Sequence, residues 1–181
     1  QLHLTLPPWI HDQVDADAVY ETAESRISLA VRLSQINVSR QSGGPFGAAV
    51  FNQSGRLLGV GVNRVVPHNC SAAHAEVMAL ATTQQRLQKF RLNDGGDRIT
   101  LATSAQPCSM CYGALIWAGI DELLIAARAD DVQTLAGFDE GPLPADWKGE
   151  LVKRGIEVHT DILREQACAV LKEYGESGLV Y

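Results

Sequence analysis

RITLATSAQPCSMCYGALIWAGIDELLIAA, residues 98–127, is the stretch that decides the fold. It opens with a predicted strand, Arg98–Thr103, and closes with another, Glu122–Ala127. A helix is predicted between them, starting after Pro107, because apolar residues recur there at helical spacing. These residues are Met110, Ala114 and Trp117. Alternation of strand and helix is typical of an α/β fold.

The flanking sequence adds elements on both sides of this stretch. Apolar residues three and four positions apart predict a helix from Asp12 to about Val38. The segments 46–51 and 57–63 are expected to pair as a hairpin around Gln53-Ser54-Gly55. The other predicted elements are a helix near Ala73 capped by Ser71, a short helix over 129–136, a strand over 157–159 and a helix over 162–174. This order predicts an α/β fold of one domain, residues 1–181: a three-layer α/β/α sandwich around a mixed five-stranded sheet.

Composition excludes several classes of protein. The 181 residues carry Lys+Arg 15 against Asp+Glu 21, a formal net charge of −6, which argues against a general binder of nucleic acid. No apolar run approaches the ~18 residues of a membrane span, and no signal peptide is recognisable, so a cytoplasmic location is expected. Four cysteines are too few for a disulfide scaffold.

Two short segments carry chemistry. One is Ala73-His74-Ala75-Glu76, and the other is Pro107-Cys108-Ser109-Met110-Cys111. One imidazole and two thiols form a three-ligand zinc set, which leaves a fourth coordination position for water. Both segments open predicted helices, whose N-termini favour thiolates. Glu76 is the acid that could take a proton from that water.

Other interpretations of these residues remain open. The pair Cys108 and Cys111 could be a redox pair or half of a structural zinc site. A closed structural site would need Cys70 or Cys168 as fourth ligand, and the protein would then be a zinc-stabilised binding module rather than an enzyme. An acid two residues from the histidine favours the open, catalytic site.

His-x-Glu followed by Pro-Cys-x-x-Cys is the signature of zinc deaminases, and the sequence therefore resembles the cytidine deaminase superfamily. The resemblance runs from about Gly43 to Glu140. It implies one Zn²⁺ per chain held by His74, Cys108 and Cys111, with Glu76 as general acid and base.

A finer similarity is to the bacterial guanine deaminases of this superfamily. The additional matching residues are Gly44-Pro45-Phe46-Gly47-Ala48, Asn63, Trp117, Ala136-Gly137-Phe138-Asp139-Glu140 and the C-terminal Tyr181. The similarity implies hydrolysis of guanine to xanthine and ammonia, with Glu140 as a second catalytic acid. It further implies that Phe46, Asn63, Ala75, Trp117 and Tyr181 contact a small purine base, with no nucleic acid or membrane as partner.

The same similarity implies a homodimer in which a C-terminal tail, from about residue 175 to 181, covers the partner's site. The apolar tail residues Leu179-Val180-Tyr181 after Gly178 are consistent with docking. The sequence departs from the family at Ala105-Gln106, where relatives commonly carry Cys-Glu.

Related substrates define the alternatives. A tRNA adenosine deaminase shares the zinc chemistry but should present a basic surface, which the acidic composition disfavours. A nucleotide deaminase of the dCMP type would need a cation for the phosphate, and Arg64 is the nearest basic residue in sequence. Pterins and triazines are further aminated heterocycles that the same chemistry could serve.

Overall fold

A computed structural model describes residues 1–179. The strands are β1 Gly47–Phe51, β2 Leu57–Val62, β3 Thr100–Ala105, β4 Glu122–Ala127 and β5 Glu157–His159. The helices are α1 Ile10–Gln13, α2 Ala23–Ser39, α3 Val65–His68, α4 Ala75–Leu87, α5 Ser109–Ala118, α6 Ala129–Asp131, α7 Trp147–Lys153 and α8 Arg164–Glu176. A π-helical turn, Val132–Ala136, follows α6 directly.

The strands form one mixed sheet in the order β2-β1-β3-β4-β5. β1 pairs antiparallel with both β2 and β3, whereas β3–β4 and β4–β5 are parallel pairs. The predicted mixed five-stranded sheet is therefore confirmed. Since β2 and β3 both run opposite to β1, their carboxyl ends and the start of β1 lie at one edge of the sheet.

Helices cover both faces of this sheet, as predicted. Side chains alternate between faces along a strand, and in β1 the buried Ala49 and Phe51 join one core while Ala48 and Val50 join the other. The first core is closed by α2 and α8, and the second by α4 and α5. Strands buried on both faces explain the continuous apolar run that predicted β4.

The prediction of a helix beginning at Asp12 is wrong for its first half. The Asp15 carboxylate accepts the backbone N–H groups of Asp17 and Ala18, which stabilises a turn instead of a helix. α2 begins only at Ala23, where Thr22 and Ser25 form a reciprocal capping box. The helical spacing of apolar residues extends to both sides of Thr22, but these local hydrogen bonds determine where the helix begins.

The start of α4 also differs from the prediction. The helix begins at Ala75, and its N-cap is His74 rather than Ser71. Gly61 of β2 permits this position, because a Cβ atom there would lie 2.1 Å from the Ala75 carbonyl oxygen and 2.3 Å from the Ala79 nitrogen. The glycine thus brings the N-terminus of α4 against the sheet.

Among residues 1–179, no helix combines the length and the apolar character that crossing a bilayer requires.

Candidate active site

Two helix N-termini bring the predicted metal ligands together. His74 is the N-cap of α4 and Cys108 the N-cap of α5, and neither side chain caps its own helix. Both residues have extended backbone conformations just before the first helical turn. Nδ1 of His74 lies 3.4 Å from Sγ of Cys108 and 3.6 Å from Sγ of Cys111.

The spacing of these donor atoms fits a tetrahedral zinc ion. Bonds of about 2.3 Å to sulfur and about 2.0 Å to nitrogen place the donors roughly 3.5 Å apart. The three donor atoms of His74, Cys108 and Cys111 all lie within 4.8 Å of one another. Within the described part of the chain, Cys70 and Cys168 do not join this group, so the closed site with a fourth cysteine is not formed.

The two thiols differ in their electrostatic surroundings. The pKa of Cys108 is lowered to about 4, chiefly because the Cys111 thiol donates a hydrogen bond to it. The pKa of Cys111 is raised by that same hydrogen bond and by burial. The pKa of His74 is raised, mainly because the Cys108 sulfur accepts a hydrogen bond from its ring. Negative charge on Cys108 is what a soft metal cation needs in a ligand.

Glu76 is the second residue of α4, in its first turn, and is buried, with 6% of its surface exposed. Its Oε2 atom is 3.4 Å from Sγ of Cys111, and its Oε1 atom is 3.3 Å from the hydroxyl of Thr103 on β3. Burial raises the pKa of the Glu76 carboxyl, and the negative charge of Cys108 raises it further. A raised pKa brings this carboxyl closer to the pH range in which it can both accept and donate a proton.

A cavity of about 310 Å³ opens beside this group. It is lined by Phe46, Asn63, His74, Ala75, Glu76, Gln106, Cys108, Gly137, Phe138, Asp139 and Glu140. The rings of Phe46 and Phe138 meet with centroids 5.4 Å apart and planes tilted by 59°. One side of the cavity is therefore apolar and aromatic, and another side carries acidic residues.

Asn63 and Ala75 supply polar groups to this cavity. The Oδ1 atom of the buried Asn63 accepts the backbone N–H groups of Gly44 and Val65, both at 3.3 Å. This assigns Oδ1 as the accepting end of the amide and Nδ2 as its donating end. Ala75 is the first residue of α4, where backbone N–H groups have no partner within the helix.

Glu140 reaches the cavity from the loop after the π-helical turn. Its backbone carbonyl oxygen accepts the Ser109 N–H at 2.9 Å, which ties this loop to the start of α5. Burial raises the pKa of the Glu140 carboxyl to about 8, and the nearby charges of Glu76, Cys108 and Asp139 act in the same direction. The site therefore holds two carboxyls that resist ionisation.

Trp117 does not line the cavity of the single chain, and its expected contact with the base stays a prediction. It lies six residues beyond Cys111 on α5 and is 76% exposed. Six residues correspond to a rotation of about 240° around a helix, so Trp117 faces away from the side that carries Cys111. Tyr181, the other expected aromatic contact, lies outside the described residues.

Phe138 lies beside Phe46 at the cavity and stacks on Tyr174, with ring centroids 5.8 Å apart. The sequence includes Phe138 in the matching motif, but nothing in its spacing indicates that its ring faces the cavity. Gln106, Asp139 and the supporting Thr103 were likewise not predicted. Gln106 immediately precedes Pro107. This position next to the zinc motif is the one sequence signal that could have indicated that Gln106 lines the cavity.

Comparison with known proteins adds independent information. The family described as "Cytidine and deoxycytidylate deaminase zinc-binding region" matches residues 20–127. Guanine deaminase of Bacillus subtilis is 37% identical over 117 residues, which span 65% of this chain and 71% of that protein.

Solved structures extend the similarity to nearly the whole chain. The structure reported for guanine deaminase from Nitrosomonas europaea is 46% identical, with a TM-score of 0.92 over 97% of both chains. A crystal structure of NE0047 in complex with 2,6-diaminopurine has the same identity and TM-score, covering 99% of this chain and 95% of that one. A mutant of NE0047 in complex with 8-azaguanine, also at 46% identity and TM-score 0.92, covers 97% of this chain and 98% of that one.

The donor geometry generates a prediction about metal content. Replacement of Cys111 by serine removes a buried thiol from the donor set. Loss of a residue that only hydrogen-bonds a ligand lowers metal affinity by up to ~100-fold, so loss of a ligand itself should lower zinc affinity by more than that. Zinc content after dialysis against a weak chelator measures the effect. Cys168→Ser is the matched control and should retain the metal, and zinc loss in the control instead would contradict the assignment.

Proposed function

The chain belongs to the cytidine and deoxycytidylate deaminase family, and from that premise we propose that it is a guanine deaminase. It catalyses the zinc-dependent hydrolysis of guanine to xanthine and ammonia. One observation carries this proposal: a buried carboxyl, Glu76, stands between a His/Cys/Cys donor set and an aromatic cavity of the size that suits a single base. The guanine deaminases of Bacillus and Nitrosomonas support the choice of substrate.

The donor set fits one zinc ion per chain, held by His74, Cys108 and Cys111. When bound, zinc polarises a water molecule as the nucleophile and stabilises negative charge that develops during attack. Three protein donors would leave one coordination position for that water, and Glu76 lies next to the donor set, with its Oε2 atom 3.4 Å from Sγ of Cys111. Two thiolates and a neutral imidazole would balance the charge of the cation.

Glu76 moves the protons of the attack step. Its carboxylate accepts a proton from the attacking water and passes it to the purine nitrogen next to the amino-bearing carbon C2. A C–O bond forms at C2, and the ring there becomes tetrahedral. Thr103 on β3 and Cys111 on α5 hold the Glu76 carboxyl from two sides, which keeps it in place during the transfer.

Glu140 completes the reaction as an acid. With a pKa near 8 it carries a proton at neutral pH, which it can donate to the amine. The C–N bond then breaks, and the amine leaves as ammonia. The C2 hydroxyl gives its proton to the Glu140 carboxylate as the C2 carbonyl of xanthine forms, which returns both carboxyls to their starting protonation states.

The purine is held by stacking and by directed hydrogen bonds. Phe46 and Phe138 offer apolar ring surfaces to its face. Nδ2 of Asn63 and the N–H of Ala75 donate to acceptor atoms on its edge. At about 310 Å³ the cavity is at the small end of ligand sites, which favours a free base.

The same features disfavour the tRNA alternative. Asp139 and Glu140 stand at the cavity, and the chain carries a net charge of −6, so phosphate groups would be repelled. No disulfide joins any of the four cysteines, which is typical of a reducing compartment such as the cytoplasm. The reaction would there belong to purine breakdown.

The active form is a homodimer of one-domain chains. Trp117 and Met110 expose large apolar side chains on the outer side of α5, 76% and 38% respectively. A second copy that packs on this helix would bury them. The C-terminal tail, from about residue 175 to 181, is the segment proposed to cover the partner's site; it starts within the last turn of α8, which ends at Glu176.

A surface variant tests the dimer. Trp117→Glu places a charge at the centre of the apolar side of α5 and should convert the dimer to monomer at micromolar concentration. Sedimentation equilibrium gives the mass. Val19→Glu, at an apolar residue that is 51% exposed elsewhere on the surface, should remain dimeric. A Trp117→Glu variant that stays dimeric would remove α5 from the interface.

Ammonia release from the zinc-loaded protein tests the substrate. The compounds are guanine, adenine, cytosine, cytidine, dCMP, pterins and triazines, and guanine should give the highest kcat/KM. Glu76→Gln should retain zinc yet lose about 10²-fold or more in kcat, the range of general acid–base catalysis. Preference for another compound would reassign the substrate, and an active Glu76→Gln variant would refute the proton role.

Glu140 has its own test. Its protonated form is the active one, so kcat should fall as pH rises through the Glu140 pKa. That pKa is about 8 without metal, and the charge of bound zinc lowers it, which places the falling limb at or below pH 8. Glu140→Gln should lower kcat more than it raises KM. Glu173→Gln, an exposed acid on α8, should match the unchanged chain, and a normal kcat for Glu140→Gln would exclude the acid role.

A further inference from the structure

Asn37, near the end of α2, is a fully buried polar residue that the proposed chemistry does not use. Its amide group donates two hydrogen bonds, to the carbonyl oxygen of Gly44 at 2.8 Å and to that of Asn63 at 3.0 Å. The two acceptors belong to different segments, one before β1 and one after β2. Asn37 therefore joins both segments to α2.

Ser42 satisfies the other end of the Asn37 amide. The Ser42 hydroxyl donates to Oδ1 of Asn37 at 2.7 Å and accepts the indole N–H of Trp9 at 3.0 Å. Arg64 also donates to the Ser42 carbonyl oxygen, at 2.6 Å. The orientation of the Asn37 amide is thus fixed, because its oxygen and both N–H groups have partners.

The backbone of Gly44 links this buried amide to the cavity. Its carbonyl oxygen accepts from Asn37, while its N–H donates to the side-chain Oδ1 of Asn63. Gly43 allows the close approach, since a Cβ atom there would lie only 1.8 Å from the Asn63 carbonyl oxygen. A displacement of this loop would move one of the two N–H groups that orient the Asn63 amide.

We infer that Asn37 is a positioning residue for substrate recognition, which acts through Gly44 on Asn63. It holds the backbone of both segments so that Oδ1 of Asn63 continues to accept the N–H groups of Gly44 and Val65. Nδ2 is then the end of the amide that donates to the purine. This inference rests on the proposed function for its substrate, but the hydrogen-bond chain that carries it does not depend on catalysis.

Steady-state kinetics of Asn37→Ala test the inference. Loss of the two donors should raise KM for guanine roughly tenfold, the effect of about one lost hydrogen bond, while kcat changes less than about threefold. Thr83→Val is the matched control, because Thr83 is equally buried and bonds one carbonyl, that of Ala79, away from the cavity. Its KM should equal that of the unchanged chain.

A double-mutant cycle separates positioning from general destabilisation. If Asn37 acts through Asn63, the change Asn37→Ala should have little further effect on KM in an Asn63→Ala background. Additive effects would overturn the inference. Should Asn37→Ala fail to fold, Ser42→Ala removes one partner of the same amide and should raise KM in the same direction by a smaller factor.

A spectroscopic measurement does not require activity. The side-chain amide ¹⁵N–¹H signals of Asn63, assigned by their loss in Asn63→Ala, should shift in Asn37→Ala and remain unchanged in Thr83→Val. Unchanged signals in Asn37→Ala would overturn the inference even if guanine is turned over. A chain that deaminates no guanine but shows the shift would refute the proposed function alone.

Discussion

The convergence of two helix N-termini at one edge of the sheet is the constraint on which the site depends. β2 and β3 run in the same direction because each pairs antiparallel with β1 between them. Their carboxyl ends therefore lie together, and α4 and α5 start from this edge with His74 and Cys108 as N-caps. Residues just before β1 and just after β2, Phe46 and Asn63, come to the same edge for the same reason.

The convergence concentrates negative charge in a buried place. Burial raises the pKa values of the Glu76 and Glu140 carboxyls, and the negative charge of Cys108 raises both further. Such a cluster is costly unless a cation joins it or the carboxyls keep their protons. Zinc binding and protonation of the carboxyls would both lower this electrostatic cost, and the proposed deamination uses both.

The side of the cavity that carries Asn63 is held in place by a different kind of interaction. Its geometry depends on neutral hydrogen bonds that join α2, the loop before β1 and the end of β2, with Asn37 at the centre. Glycines at positions 43 and 61 permit the close backbone approach on both sides of Asn63. Ionisable groups thus gather around the His/Cys/Cys donor set, whereas hydrogen bonds to backbone groups hold the segments around Asn63.

The sequence alone determined the mixed sheet, the helices on both faces and the grouping of His74, Cys108 and Cys111, because periodicity and motif spacing are local properties. It did not determine that α2 begins at Ala23, since side-chain hydrogen bonds around Asp15 and Thr22 override the apolar period there. Only the tertiary structure decided that Phe138 lies beside Phe46 at the cavity. It also decided that Asn37 contacts the backbone of Asn63, 26 residues away. The direction of a side chain around a helix or loop follows from packing between distant segments, and no local pattern encodes such packing.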